Sequence, residues 1–273
     1  MLSTLENAML ITQLTVIALI QGITEFLPIS SSGHLVLIPS VTGWRDQGLV
    51  IDVAVHIGTL GAVIAYLWRD IRVMIIGILR PNNIRLNGGL RLIFYLTVAT
   101  IPLVIAGAIV HQYFADTLRS AAVVGWATLG FGVLLYFVDR YSVTINRLAH
   151  MTLGRAFTIG VAQILALIPG ASRAGTTITM ARWLGFERTE AARFSMLLSI
   201  PAIVASGVPA TIELIGSNAP QTLNDAIFAG TVAFITAFVS VVLMMRWLKK
   251  ASFTPFVVYR IFLGAGILVW VYG

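Results

Sequence analysis

Apolar residues run through this chain in long blocks, separated by short polar or basic connections. Six blocks reach the roughly 20 residues that a helix needs to cross a bilayer core. They lie at about 48–68, 90–111, 120–138, 190–214, 225–248 and 256–272. Two further blocks are interrupted. One covers 7–26, breaks at Pro28 and the serines after it, and resumes at 35–42. The other covers 153–168, breaks at Pro169-Gly170, and resumes at about 175–185. Each reads as a helix, a polar break and a short second helix. The pattern predicts an all-α polytopic membrane protein with about six full spans, forming a single integral membrane domain over 1–273.

Loop charge orients the spans. The connection 69–91 carries Arg69, Arg72, Arg80, Arg85 and Arg91 against Asp70. The connection 139–155 carries Arg140, Arg147 and Arg155, and the one around 246–250 carries Arg246, Lys249 and Lys250. The connections 112–119 and 215–225 and the segment before residue 10 are poor in basic residues. The positive-inside rule puts the three basic connections in the cytoplasm. Both ends of 7–42 then fall outside, and both ends of 153–185, including Arg182, Glu187 and Arg188, fall inside. The interrupted blocks are therefore expected to be two re-entrant helical hairpins that enter from opposite faces and meet at mid-membrane. Their sequences match loosely: Gln21 with Gln163, Pro28 with Pro169, Ser31 with Ser172 and Gly33 with Gly175, allowing one gap. Like segments in opposed orientation predict an inverted-topology repeat, about 7–138 and 152–273, with a site at the repeat interface.

Composition narrows the function classes. The chain is 58% hydrophobic and 11% charged, whereas a soluble domain carries roughly a quarter charged residues. The net charge of +7 is accounted for by the basic loops, so no nucleic-acid partner is expected. Apolar blocks recur to the last residue, which a single signal peptide does not explain. With no cysteine, disulfides, thiolate chemistry and cysteine metal sites are excluded.

The breaks hold the candidate chemistry. They read QGITEFLPISSSGH (21–34) and PGASRAGTT (169–177). Ionisable groups at membrane depth are costly and mark function, which singles out Glu25, His34 and Arg173. Pro169 and Gly170 end one helix, and the next begins with free N–H groups suited to an anion. Arg173 adds a guanidinium fork that suits phosphate oxygens, and Ser172, Thr176 and Thr177 add hydroxyls. The alternative is that Arg173 only pairs with Glu25 across the breaks. In the first break, Ser30 and Ser31 are candidate nucleophiles or phosphate donors. His34 lies three residues beyond Ser31, within reach on a helix, as acid or base. One serine can cap the helix starting near Gly33 while another reacts. Gln21 and Glu25, four apart on one helix face, could hold a hard divalent cation with help from substrate phosphates, or simply hydrogen-bond to each other. Asp52 and His56 read as a satisfied pair within the bundle or as support for the site.

These two motifs resemble the signature regions of the undecaprenyl pyrophosphate phosphatases of the bacitracin-resistance type. The family's first motif is Glu or Gln, three residues, then Glu; here it is Gln21 and Glu25, followed by Ser30, Ser31 and His34. Its second, PGxSRSxxT, is similar to Pro169–Thr177, with Ser172, Arg173 and Thr177 in place. The likeness extends through ARFSMLLSIPAIVASG and over the whole chain. Two positions depart: Gln21 replaces a carboxylate, which puts more weight on Glu25, and Ala174 replaces the motif's second serine. The resemblance implies hydrolysis of undecaprenyl diphosphate to the monophosphate and inorganic phosphate, which recycles the lipid carrier of cell-wall synthesis. It implies a divalent cation, Mg or Ca, and an inner-membrane site open to the outer side, in contact with membrane lipid, with a homodimer as a candidate assembly. Catalytic roles then fall to Glu25, Ser31, His34 and Arg173, with Ser30, Gly33, Gly170, Ser172, Thr176 and Thr177 binding substrate. Ser31, His34 or water could be the nucleophile. The rival reading is a flippase or anion transporter that uses the same pocket without a nucleophile.

Overall fold

The computed structural model describes residues 2–44, 48–80, 87–113, 120–215 and 223–273. Among them are eleven α-helices: α1 (Leu2–Thr24), α2 (Ser31–Thr42), α3 (Gly48–Tyr66), α4 (Trp68–Leu79), α5 (Gly88–Tyr113), α6 (Ala121–Tyr141), α7 (Leu153–Gln163), α8 (Arg173–Trp183), α9 (Arg188–Ile215), α10 (Leu223–Leu248) and α11 (Thr254–Tyr272). Helices α3, α5, α6, α9, α10 and α11 are long and apolar enough to cross a membrane. They coincide with the six uninterrupted blocks to within a few residues. The interrupted blocks form α1 with α2, and α7 with α8; α7 tightens into a 3-10 turn at Ile164–Leu167 before its break.

Two expectations are corrected. The second helices start at Ser31 and Arg173, a few residues earlier than the apolar pattern suggests, because Ser30 and Ser172 cap them. Part of the connection 69–91 is a helix, α4. Asp70 and Gly77 on α4 are buried. Trp68, Ile75, Ile78 and Leu79 are exposed apolar side chains, and Arg69 and Arg72 are exposed as well. Such a helix suits the membrane interface, where charge and apolar surface are both solvated.

The bundle is held by close helix contacts. Helix α3 packs on α10, α6 on α11, α1 on α10 and α5 on α7, while α9 lies against α3, α5 and α8. In lipid, helices associate through tight packing at small residues. A Cβ on Gly58 of α3 would come within 2.1 Å of the Gly230 carbonyl on α10, and one on Gly160 of α7 within 2.4 Å of the Ala99 carbonyl on α5. At one end of the bundle, buried ion pairs tie the loops together. Asp139, at the end of α6, accepts from Arg182 Nε at 2.8 Å, Arg188 Nε at 2.9 Å and the Phe253 N–H at 3.3 Å. Asn146 bonds through its backbone to Gly185 and Glu187. Arg193 pairs with Asp70 and Glu190. The segments that loop charge assigned to one side thus sit together.

Candidate active site

Both polar breaks fold into the same local structure. Among the described residues, Ser30 and Ser172 are the two non-glycine residues with positive φ, at 74° and 71°. Each caps the helix after it. Ser30 Oγ accepts from the Gly33 N–H at 3.2 Å, and Ser172 Oγ from the Gly175 N–H at 3.0 Å. L residues in this region carry strain of about 1–3 kcal/mol each, and they persist where the surroundings enforce them, typically at functional sites. The backbone also sets the register. One separation relates Gln21 to Gln163, Ser30 to Ser172 and Gly33 to Gly175 without a gap, so Ser31 matches Arg173 rather than Ser172.

The breaks meet. A Cβ on Gly33 would sit 3.3 Å from Gly170 Cα. Gly170 takes φ +94°, and a Cβ there would lie 2.5 Å from the Val124 carbonyl, so the second break needs glycine at this point.

Glu25 is the centre of the site. Its Oε1 accepts from Arg173 Nη2 at 2.7 Å. Its Oε2 accepts from Ser31 Oγ at 2.7 Å and from Gln21 Nε2 at 2.9 Å. The expected pairing of Arg173 with Glu25 is present, but it does not exhaust the guanidinium: Arg173 Nη1 is buried with no protein partner. Gln21 Oε1 is likewise buried and unpartnered, as are both amide atoms of Gln163, its counterpart at the second break. Buried polar groups are nearly always hydrogen-bonded. The orphaned Arg173 Nη1 and Gln21 Oε1, on either side of Glu25, suit the oxygens and the counter-ion of a polar ligand.

Other predicted residues face elsewhere. Ser31 donates to Glu25, and His34 does not contact it; His34 Nδ1 lies 2.6 Å from the Ser30 carbonyl and Nε2 lies 2.5 Å from the Tyr259 hydroxyl. Thr176 and Thr177 bond the Arg173 carbonyl at 3.1 and 2.8 Å, and Thr177 also meets Ser195 Oγ at 2.7 Å. Their hydroxyl protons point into the helix packing. His56 Nδ1 bonds the backbone carbonyl of Asp52, one helical turn back, at 2.7 Å.

Arg260, on α11, is fully buried and bonds five backbone carbonyls. These are Pro28 of the first break (3.1 Å), Gly170 and Ala171 of the second (2.9 and 3.0 Å), and Ala127 and Thr128 of α6 (3.4 and 3.0 Å). It pins the two breaks to each other and carries a positive charge behind the site.

Residues 14–266 match the family of bacitracin resistance protein BacA. The chain belongs to the BacA family. It is 50% identical over 266 residues to an undecaprenyl-diphosphatase of Roseobacter denitrificans, across 97% of this chain and 100% of that protein. It is 47% identical over 272 residues to undecaprenyl-diphosphatase 1 of Rhodospirillum rubrum, across 97% of this chain and 96% of that protein. A third relative, the undecaprenyl-diphosphatase of Hahella chejuensis, is 45% identical over 264 residues, across 95% of this chain and 98% of that protein.

Arg260 and Tyr259 lie outside both motifs, in an otherwise ordinary apolar span. An arginine inside a transmembrane helix was the available signal. Among the described residues, no three His, Cys, Asp or Glu side chains gather as a metal cage. Glu25 with the orphaned Gln21 oxygen is nonetheless a donor set that suits magnesium or calcium, since such ions at phosphate sites take most of their ligands from phosphate and water.

Proposed function

We propose that this protein hydrolyses undecaprenyl diphosphate to undecaprenyl phosphate and inorganic phosphate at the Glu25–Arg173 centre. The observation that carries the reading is the convergence of Ser31, Gln21 and Arg173 on one buried carboxylate, with Arg173 Nη1 left over. Arg173 Nη1 and the N–H groups opening α2 and α8 bind the phosphates and hold the charge that develops on the transferring group. Glu25 orients the Ser31 hydroxyl and takes its proton as Ser31 Oγ attacks the terminal phosphorus. The P–O bond to the bridging oxygen breaks, and undecaprenyl phosphate leaves. Water then cleaves the phosphoserine, releasing inorganic phosphate and restoring Ser31. The bond from Ser31 to Glu25, rather than to His34, favours this assignment of base. Gln21 and Glu25 would hold a divalent cation, which supplies charge neutralisation on the phosphate oxygens. Phosphate release from a long-chain polyprenyl diphosphate in detergent tests the reading. Activity should vanish with chelator, return with magnesium or calcium, and be lost in Ser31→Ala. A Ser31→Ala variant with wild-type turnover would move the attack to His34 or to water.

The same reading takes the chain as an inverted repeat with two re-entrant hairpins in the inner membrane, the site facing outward. Two features support the repeat. The breaks share their cap geometry, and the packing survives exchange of the halves: α1 on α10 answers α7 on α5, α3 on α10 answers α9 on α5, and α6 packs on α11. The chain has no cysteine, so single-cysteine variants report sidedness directly. Ser32→Cys should react with an impermeant thiol reagent in intact cells, and Lys249→Cys only after permeabilisation. A homodimer belongs to the same reading; sedimentation velocity in detergent tests it.

A further inference from the structure

Tyr259 has no part in the chemistry above, yet it touches His34 closely. Its hydroxyl lies 2.5 Å from His34 Nε2, and the two rings stack with centroids 5.7 Å apart and planes within 9°. The other ring nitrogen, Nδ1, lies 2.6 Å from the Ser30 carbonyl. A carbonyl only accepts, so Nδ1 carries a proton. In the neutral ring Nε2 then holds the lone pair and accepts from the phenol. The basic nitrogen of His34 is therefore occupied before any substrate arrives. Both residues also line a groove of about 390 Å³ between α1 and α11, whose other walls include Ile20, Ile23, Ile29 and Phe256. The groove is almost wholly apolar, and it begins where the first break ends. Tyr259 is 43% exposed, so its ring has room to move.

We propose that Tyr259 is a positioning residue that couples His34 to occupancy of this groove by the isoprenoid tail of a polyprenyl diphosphate. With the groove empty, the phenol caps Nε2 and withholds His34 from the site. A tail competes with the Tyr259 ring for the same apolar volume. Its entry turns the ring aside and frees Nε2 to accept the proton of the water that cleaves the phosphoserine, while Glu25 returns its proton to Ser31. A soluble diphosphate such as inorganic pyrophosphate finds the phosphate donors but leaves the groove empty, so His34 stays capped. This rests on the diphosphatase reading and adds a source of selectivity to it.

Tyr259→Phe tests the coupling, because it keeps the ring and the groove and removes only the hydroxyl. Two readouts are needed: kcat/KM for a long-chain polyprenyl diphosphate and for inorganic pyrophosphate, and the ¹⁵N resonance of His34 Nε2 with and without farnesol, a tail lacking phosphate. The expected result is a gain of about tenfold on pyrophosphate, the worth of one hydrogen bond, with little change on the long-chain substrate. Farnesol should move the wild-type Nε2 resonance to the position seen in Tyr259→Phe. A substrate ratio unchanged by the variant overturns the coupling, and so does a wild-type resonance that farnesol leaves in place. If the wild type releases phosphate from neither substrate, the diphosphatase reading fails, while the farnesol response still decides the coupling by itself.

Discussion

Glu25 sets the positions of the serine and the arginine at once, through two carboxylate oxygens 2.7 Å from each partner. Geometry this shared makes conservative changes costly. Arg173→Lys keeps the charge but loses the planar fork, so one ammonium cannot serve both Glu25 and a phosphate. Turnover of polyprenyl diphosphate should fall by on the order of 10²–10³, as when one transition-state donor is removed, with the fold intact by circular dichroism. These residues were legible in the sequence because polar groups in an apolar block stand out. Their partnerships were not. Helical spacing paired Ser31 with His34, whereas the turn at residues 25–30 swings Ser31 onto Glu25. Thr176 and Thr177 looked like phosphate donors, but hydroxyls inside a helix readily bond the carbonyl one turn back, and these do.

At the level of elements, the serine caps decide where each short helix begins. Ser30→Ala and Ser172→Ala each remove the acceptor for a Gly N–H, which costs about 1 kcal/mol for an N-cap. Both should lower the thermal midpoint in detergent, and the pair should act additively if the two breaks are independent. Non-additivity would measure their coupling through Gly33, Gly170 and Arg260. The six long helices were readable from apolar length alone. Helix α4 was not, because its arginines looked like loop charge and its buried side, with Asp70 and Gly77, emerges only once α5 packs beside it and Arg193 of α9 pairs with Asp70. The match between the breaks was visible, but aligning it on the prolines forced a gap that the backbone removes.

Across the whole molecule, Asp139 is the joint of the loop-bearing end. It is buried and answers two arginines and a backbone N–H. Removing one partner of a buried pair leaves an uncompensated charge, at about 3–5 kcal/mol. Asp139→Asn should therefore depress the thermal midpoint sharply, whereas Arg147→Ala, which breaks the exposed pair with Glu187, should leave it unchanged. Equal effects of the two would show that the buried cluster is not the joint. That these loops gather at one end could be expected from their charges, but their mutual hydrogen bonds could not. They join residues far apart in the chain, and nothing local announces them. The arginine on α11 has a consequence for biogenesis. Arg260 and Tyr259 lie in the last helix, and they hold Pro28, Gly170 and His34, which are synthesised much earlier. A nascent chain can insert both motifs and still lack the contacts that join them until α11 has been made. Assembly of the centre therefore follows the synthesis of α11, however early the two motifs enter the membrane.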